Sequence, residues 1–240
     1  MMIKLHKIIC LGSVMWDFIG SFCGEMTVGA DNPGLIDRRP GGVAFNIAKR
    51  FCELGQKPII LSAIGHSSEG TELIESCKNL GINMDYVYRD PHLGVDKYLA
   101  IEDKNGLVAA LAETLSLEKA GNETYSELEV GTLGSAEHPF EGTLIIDGNI
   151  PTQEIIKISK STIFNACKII IAPASPAKVD RIKYFTNHPN TILYCNLKEA
   201  RKLGRSDFKN TEQAANWLIA YGFKRVIITD EKNIITDKML

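Results

Sequence analysis

The sequence predicts an α/β fold with a mostly parallel central sheet, helices on both of its faces and a small β layer beside it. Three observations predict it. Short apolar runs alternate with amphipathic, glycine-closed helix patterns from Lys7 to Thr229. The strand-like runs are apolar throughout, as expected of parallel strands covered on both faces. The rhythm breaks at Ile19–Arg38 and at Lys97–Leu111. The second break holds Asp103-Lys104-Asn105-Gly106, and Asn-Gly between apolar runs is a strong hairpin signal.

In chain order, Lys7–Leu11 reads as a strand ending at Gly12. Val43–Leu54 reads as a helix, with Val43, Ala44, Ile47, Ala48, Phe51 and Leu54 on one face and Gly55 at its end. Pro58–Ser62 is a buried strand, and Glu69–Leu80 a helix closed by Gly81. Asn83–Tyr88 is a further strand candidate. Lys97–Glu102 and Leu107–Leu111 form the hairpin, while Asn32-Pro33-Gly34 marks a turn in the other irregular piece. Thr143–Asp147 is a strand, Thr152–Ala166 a helix, and Lys168–Ala172 a strand with three consecutive isoleucines. Thr191–Cys195 is a strand, Lys198–Leu203 a short helix, Thr211–Tyr221 a helix closed by Gly222, and Arg225–Thr229 a strand. Gly121–Glu141 is polar and weakly periodic and takes no assignment.

At 240 residues the chain is long enough for one large domain, which buries roughly 70–75% of its unfolded surface without a disulfide or metal. With 27 basic and 29 acidic residues, the net charge of −2 gives no footprint for nucleic acid or an anionic membrane. Cys10, Cys23, Cys52, Cys77, Cys167 and Cys195 form no C-x-x-C pair and read as small buried hydrophobes in a reducing compartment. No signal peptide and no membrane span is recognisable, so the expected location is the cytoplasm. His6, His66, His92, His138 and His188 have no metal-ligand spacing, and no metal ligands are assigned. Trp16 and Trp217 read as packing residues.

The most informative stretch is Arg39-Pro40-Gly41-Gly42-Val43-Ala44-Phe45-Asn46-Ile47-Ala48. Paired glycines permit a sharp turn and close approach of a ligand to the main chain. Free N–H groups at a helix start favour an anionic or hydroxyl-rich ligand, and Asn46 offers a donor and an acceptor to a polyol. A tight turn with no ligand fits the same residues. This is neither a P-loop nor the G-x-G-x-x-G dinucleotide fingerprint, which disfavours an NAD-linked enzyme. Asp17, after the first strand, could accept hydrogen bonds from two sugar hydroxyls or simply occupy a surface turn. Asn196 and Glu199 could hold hydrated magnesium near phosphates; their spacing is also that of a capping box, which spacing alone favours. Lys178 could meet an anionic group.

Taken together, Asp17, Asn32-Pro33-Gly34, Pro40-Gly41-Gly42-x-x-x-Asn46-x-Ala48, Leu54-Gly55 and Ser62-Ala63-Ile64-Gly65 resemble the N-terminal signature of the PfkB, or ribokinase-like, carbohydrate kinases. Lys97-Tyr98-Leu99-Ala100, Asp147-Gly148-Asn149 and Asn196-x-x-Glu199 fit as well, and Ala30–Gly34 looks most like pseudouridine kinases. The resemblance runs from about Ile8 to Thr229. It implies a three-layer α/β/α sandwich with a β lid, here about 18–39 and 95–112, that often serves as a dimer interface. It also implies transfer of the ATP γ-phosphate to a sugar or nucleoside hydroxyl. By position, Asp17, Gly41, Gly42 and Asn46 would bind substrate hydroxyls, with Asn32, Asp147 and Asn149 as further substrate residues. Asn196 and Glu199 would organise magnesium and phosphate.

The family's second signature, G-A-G-D, carries an anion hole and the aspartate base, and no such segment occurs in these 240 residues. No catalytic residue is therefore assigned. Ser67 and Ala172 replace common family aspartates, and Asp230 and Glu231 stand where glycines usually adjoin the triphosphate. The resulting expectation is a single C-terminally truncated kinase domain, impaired or inactive, with exposed apolar strands such as Arg225–Thr229. The alternative is a non-catalytic protein of the same fold that binds a nucleoside or a partner.

Overall fold

A computed structural model describes residues 7–230 and 234–240. The chain opens with β1 (Ile8–Leu11), β2 (Met15–Ser21) and β3 (Leu35–Gly41), then α1 (Val43–Glu53), β4 (Ile59–Leu61) and β5 (Ala63–Gly65). It continues with α2 (Ser68–Asn79), β6 (Tyr88–Asp90), β7 (Lys97–Asp103), β8 (Gly106–Glu113), α3 (Ser116–Ala120) and β9 (Thr143–Asp147). The remainder is α4 (Thr152–Lys160), β10 (Lys168–Ala172), β11 (Thr191–Asn196), α5 (Leu197–Gly204), α6 (Thr211–Tyr221), β12 (Arg225–Thr229) and β13 (Ile235–Met239).

The seven-stranded central sheet has the order β13-β12-β11-β10-β9-β1-β4. All its pairings are parallel except β12 with β13. A second sheet, β3-β2-β7-β8, stands beside it, and β5 pairs with β6. The sheet switches order at β1 and β9, where chain connections leave in opposite directions. A crevice at such a switch point is where ligands of open α/β sheets bind.

The two faces of the central sheet are covered unequally. On one, Ile169, Ile171, Leu193, Val226 and Ile228 are fully buried in a cluster with Ile155 and Ile158 of α4, Ala200 of α5 and Ala214 and Leu218 of α6. On the other, Cys10 and Ile145 pack with Ala44, Phe45 and Ala48 of α1 and Leu73 and Cys77 of α2. That cover stops short of β11. Ile170 and Ala172 are half-buried, Tyr194 is 44% exposed, and an apolar groove of about 560 Å³ runs between them and Ile47 and Phe51. The architecture is a three-layer α/β/α sandwich with one layer incomplete over β10–β12.

Four expectations need correction. The Asn83–Tyr88 strand contracts to a single bridge, Ile59 to Asn83, and the regular strand lies later, at Tyr88–Asp90. The helix expected to reach Ala166 breaks at Ser161, whose ψ of 128° is extended, and resumes as a tighter 3₁₀ turn over Thr162–Ala166. Ser and Thr side chains compete for backbone bonds in this way and favour ends over helix interiors. Cys23 is exposed rather than buried. The hairpin loop is Lys104-Asn105, with Gly106 at φ +105° opening β8. Gly121–Leu128 forms a 3₁₀ helix whose Tyr125 is buried and donates to Glu154 at 2.6 Å.

Candidate acceptor site at the glycine turn

The turn into α1 is fixed by its glycines. Gly42 has φ +100°, and a Cβ there would stand 2.4 Å from the Ser13 carbonyl oxygen. Only glycine adopts this conformation without strain. Gly41 is glycine for a different reason: a Cβ there would fall 2.1 Å from Cγ of Asp17. The Asp17 carboxylate therefore lies directly against the main chain of Gly41. Antiparallel pairing of β2 with β3 sets Asp17 opposite Arg39, and parallel pairing with β7 sets it beside Tyr98. Asp17 is half-buried and its carboxylate has no hydrogen-bond partner among the described residues. Burial holds its carboxyl above the ordinary carboxylate range, with Arg39 pulling the other way. Asn46 lies one turn into α1, its N–H on the Gly42 carbonyl at 2.9 Å. It is exposed, and it lines the apolar groove with Val43 and Ala172.

The helix start is not the open donor site that its sequence suggests. Val43 N–H donates to Ser13 Oγ at 3.0 Å and Ala44 N–H to Asp147 Oδ2 at 3.2 Å, while Phe45 N–H reaches the Ser13 carbonyl at 3.4 Å. A carboxylate and a hydroxyl of the protein itself occupy the positions an anion would take. Asp147, at the end of β9, is 1% exposed. It also accepts from Ser13 N–H at 2.7 Å, Ser13 Oγ at 2.8 Å and Asn149 N–H at 2.6 Å. Gly12 makes room for it, since a Cβ there would lie 2.3 Å from the carboxylate. Burial pushes the Asp147 carboxyl up against the pull of these donors.

The nine sequence-derived site residues thus fall into different states. Asp17, Gly41 and Gly42 come together, with Asn46 following one turn on. Asn149 is 7% exposed and turned inward, donating from Nδ2 to Ser13 Oγ at 2.8 Å and accepting from Lys178 Nζ on Oδ1. Lys178, a candidate for meeting an anion, instead holds this amide and Thr114 Oγ1 at 3.3 Å. Burial and Arg181 lower its pKa, against the pull of Asp147, Glu118 and Asp96. Asn32 is half-buried in a loop, where its amide accepts from Thr27 N–H and donates to the Thr27 and Ala30 carbonyls. Asn196 and Glu199 form a full capping box on α5: Asn196 Oδ1 accepts from Glu199 N–H at 2.8 Å and Glu199 Oε2 from Asn196 N–H at 2.9 Å. Glu199 is buried, which raises its carboxyl.

Ser13 was not singled out from the sequence, although a small polar residue directly after Gly12 at the end of a parallel strand faces the ligand crevice of such sheets. His6 and Glu231, both weighed above, lie outside the described residues. Among the described residues no group of three or more His, Cys, Asp or Glu could hold a metal, and no helix is long and apolar enough to cross a membrane.

Comparison with known proteins agrees with this fold. A family model described as pfkB family carbohydrate kinase matches residues 5–233. Pseudouridine kinase of Escherichia coli (strain K12) is 24% identical over 227 residues, covering 92% of this chain and 69% of that protein. Ribokinase from Giardia lamblia superposes with a TM-score of 0.80 at 14% identity, covering 98% of this chain and 73% of its own. Arabidopsis thaliana ribokinase complexed with ribose and ATP superposes with a TM-score of 0.69 at 15% identity, covering 98% and 78%. The fold is ribokinase-like, and the chain belongs to the PfkB family of carbohydrate kinases.

Proposed function

We propose that this chain binds the hydroxyl acceptor of a PfkB-type kinase reaction, in which ATP phosphorylates a sugar or nucleoside, and that pseudouridine is the first acceptor to test. The observation that carries the reading is Asp17, a half-buried carboxylate with no hydrogen bond among the described residues, pressed against a glycine main chain. A carboxylate kept partly out of water without a partner costs stability, and a ligand with paired hydroxyls satisfies it. Asn46 supplies a donor and an acceptor one helical turn away. The relative named pseudouridine kinase and the ribokinase complexed with ribose and ATP support this choice of ligands.

The residues around Asn196 suit the polyphosphate of ATP. Lys198, Arg201 and Lys209 line one groove with Asn196, Thr229 and Asp230. When bound, ATP supplies the γ-phosphoryl group. Magnesium enters the proposal only as a hydrated ion, near the Glu199 oxygen left outside the capping box. We take the whole chain as one kinase domain and β3-β2-β7-β8 as its lid over the acceptor. Exposed Leu35, Ile36, Leu107 and Leu111 on that sheet suit a homodimer face. Six free cysteines favour the cytoplasm, and the charge balance gives nucleic acid no footing.

One observation favours a second reading. The 240 residues contain no Gly-Ala-Gly-Asp, so the base and anion hole of phosphoryl transfer are not supplied by that motif. A non-catalytic nucleoside-binding protein needs only Asp17 and its neighbours. Thermal unfolding with pseudouridine, uridine, ribose or fructose, each with and without Mg-ATP, separates the two. The kinase reading expects stabilisation by one acceptor, further stabilisation by Mg-ATP, and a phosphorylated product. The binding reading expects a nucleoside shift that Mg-ATP leaves unchanged. No shift with any compound contradicts both.

A further inference from the structure

The polar chain beneath the glycine turn has a direction, and Lys178 sets it. Ser13 Oγ uses all of its hydrogen-bonding capacity: it donates to Asp147 Oδ2 and accepts from Val43 N–H and from Asn149 Nδ2. Its hydrogen is committed, so Asn149 must present its amide nitrogen. Turning the amide over would set Asn149 Oδ1 against an oxygen with no proton to offer. Lys178 forbids that, because an ammonium only donates and it already sits on Oδ1. The same ammonium donates to Thr114, the residue that follows β8 at the root of the small sheet.

We propose that Lys178 is a positioning residue for acceptor binding. It fixes the amide of Asn149, which orients Ser13, which holds the first N–H of α1 and with it the Gly41–Gly42 turn. It touches no acceptor itself. The proposal rests on the reading of that turn as the acceptor site, but its first test does not. Arg181 supports the same loop, donating to the carbonyls of Asn149 and Ile150 at 3.1 and 3.0 Å. It makes no hydrogen bond to the Asn149 side chain and does not set the amide's direction.

Two measurements on the full chain test this. Amide hydrogen exchange of the ligand-free protein reads the chain directly. Lys178→Met should speed exchange of the Val43 and Ala44 amides about tenfold and leave Leu218 in α6 unchanged, whereas Lys178→Arg, which keeps a donor, should restore slow exchange. Pseudouridine titration reads the consequence. Lys178→Met and Asn149→Ala should each weaken binding about tenfold, and the double variant no more than either, because both break one chain. Asn149→Ala supplies both readouts if Lys178→Met does not fold. Unchanged exchange at Val43 and Ala44, exchange that rises equally in α6, or losses that multiply in the double variant would each overturn the proposal. If no acceptor binds the wild type, the site reading fails, and the exchange result still decides the role of Lys178.

Discussion

Two aspartate–asparagine pairs stand at this turn, and they do opposite things. Asp147 and Asn149 are buried and fully engaged, holding the Ser13 turn to the start of α1. Asp17 and Asn46 have the same side-chain chemistry and no side-chain hydrogen bond among the described residues. The difference lies in the backbone around them. Asp147 ends a central parallel strand, where the N–H groups of Ser13, Ala44 and Asn149 converge. Asp17 sits within β2, whose own N–H groups are taken by its neighbours in the sheet. One pair builds the turn, and the side chains of the other are left without a partner among the described residues.

The comparison breaks most severely if the engaged carboxylate is dispensable. Asp147→Ala strands buried donors at Ser13, Ala44 and Asn149, and the expected loss is about 3–4 kcal/mol by urea denaturation. A loss under about 1 kcal/mol would contradict its scaffolding role. Next in size is Gly42→Ala, which forces a side chain into a left-handed backbone against the Ser13 carbonyl. It should cost about 2–3 kcal/mol, whereas Gly41→Ala should cost less than that and act mainly on ligand binding by displacing Asp17. The sheet faces provide a parallel contrast. Ile171→Ala, on the covered face, should cost about 2–4 kcal/mol, and Ile170→Ala, beside the open groove, about 1 kcal/mol or less, since less burial is lost.

The smallest expected effect is on pH dependence. Burial raises the Asp17 carboxyl in the folded chain. Between its ordinary and raised values the folded state holds more protons than the unfolded one, so Asp17 lowers stability as pH rises through that window. Asp17→Asn should remove this slope and be slightly more stable than wild type above the window, with no difference below it. Denaturation midpoints from pH 3 to 7 would show the reverse slope if Asp17 were instead held by a protein donor.

Much of the fold is legible in the sequence because its signals are local. Thr211–Tyr221 and Arg225–Thr229 match their predicted limits, and Gly55, Gly81 and Gly222 do end helices with positive φ. Segments decided by distant partners are not legible. The Gly121–Leu128 turn is held through Tyr125 on Glu154, and β13 exists by pairing with β12. At the candidate site, residue types point to one neighbourhood but not to its division of labour. Nothing local tells Asp17 from Asp147, because which carboxylate meets converging N–H groups depends on strands more than a hundred residues apart. Lys178 likewise gives no sign in the sequence that its ammonium points inward. The capping box of Asn196 and Glu199, by contrast, was readable from a four-residue spacing.

The most direct test of the division between the two carboxylates is calorimetric titration of pseudouridine into wild type and Asp17→Asn, with urea denaturation of both. The account predicts saturable binding in the wild type and a loss of about a hundredfold in Asp17→Asn, at an unchanged or slightly raised midpoint. Equal affinity in the two proteins, or a variant that loses binding only because it unfolds, would contradict it.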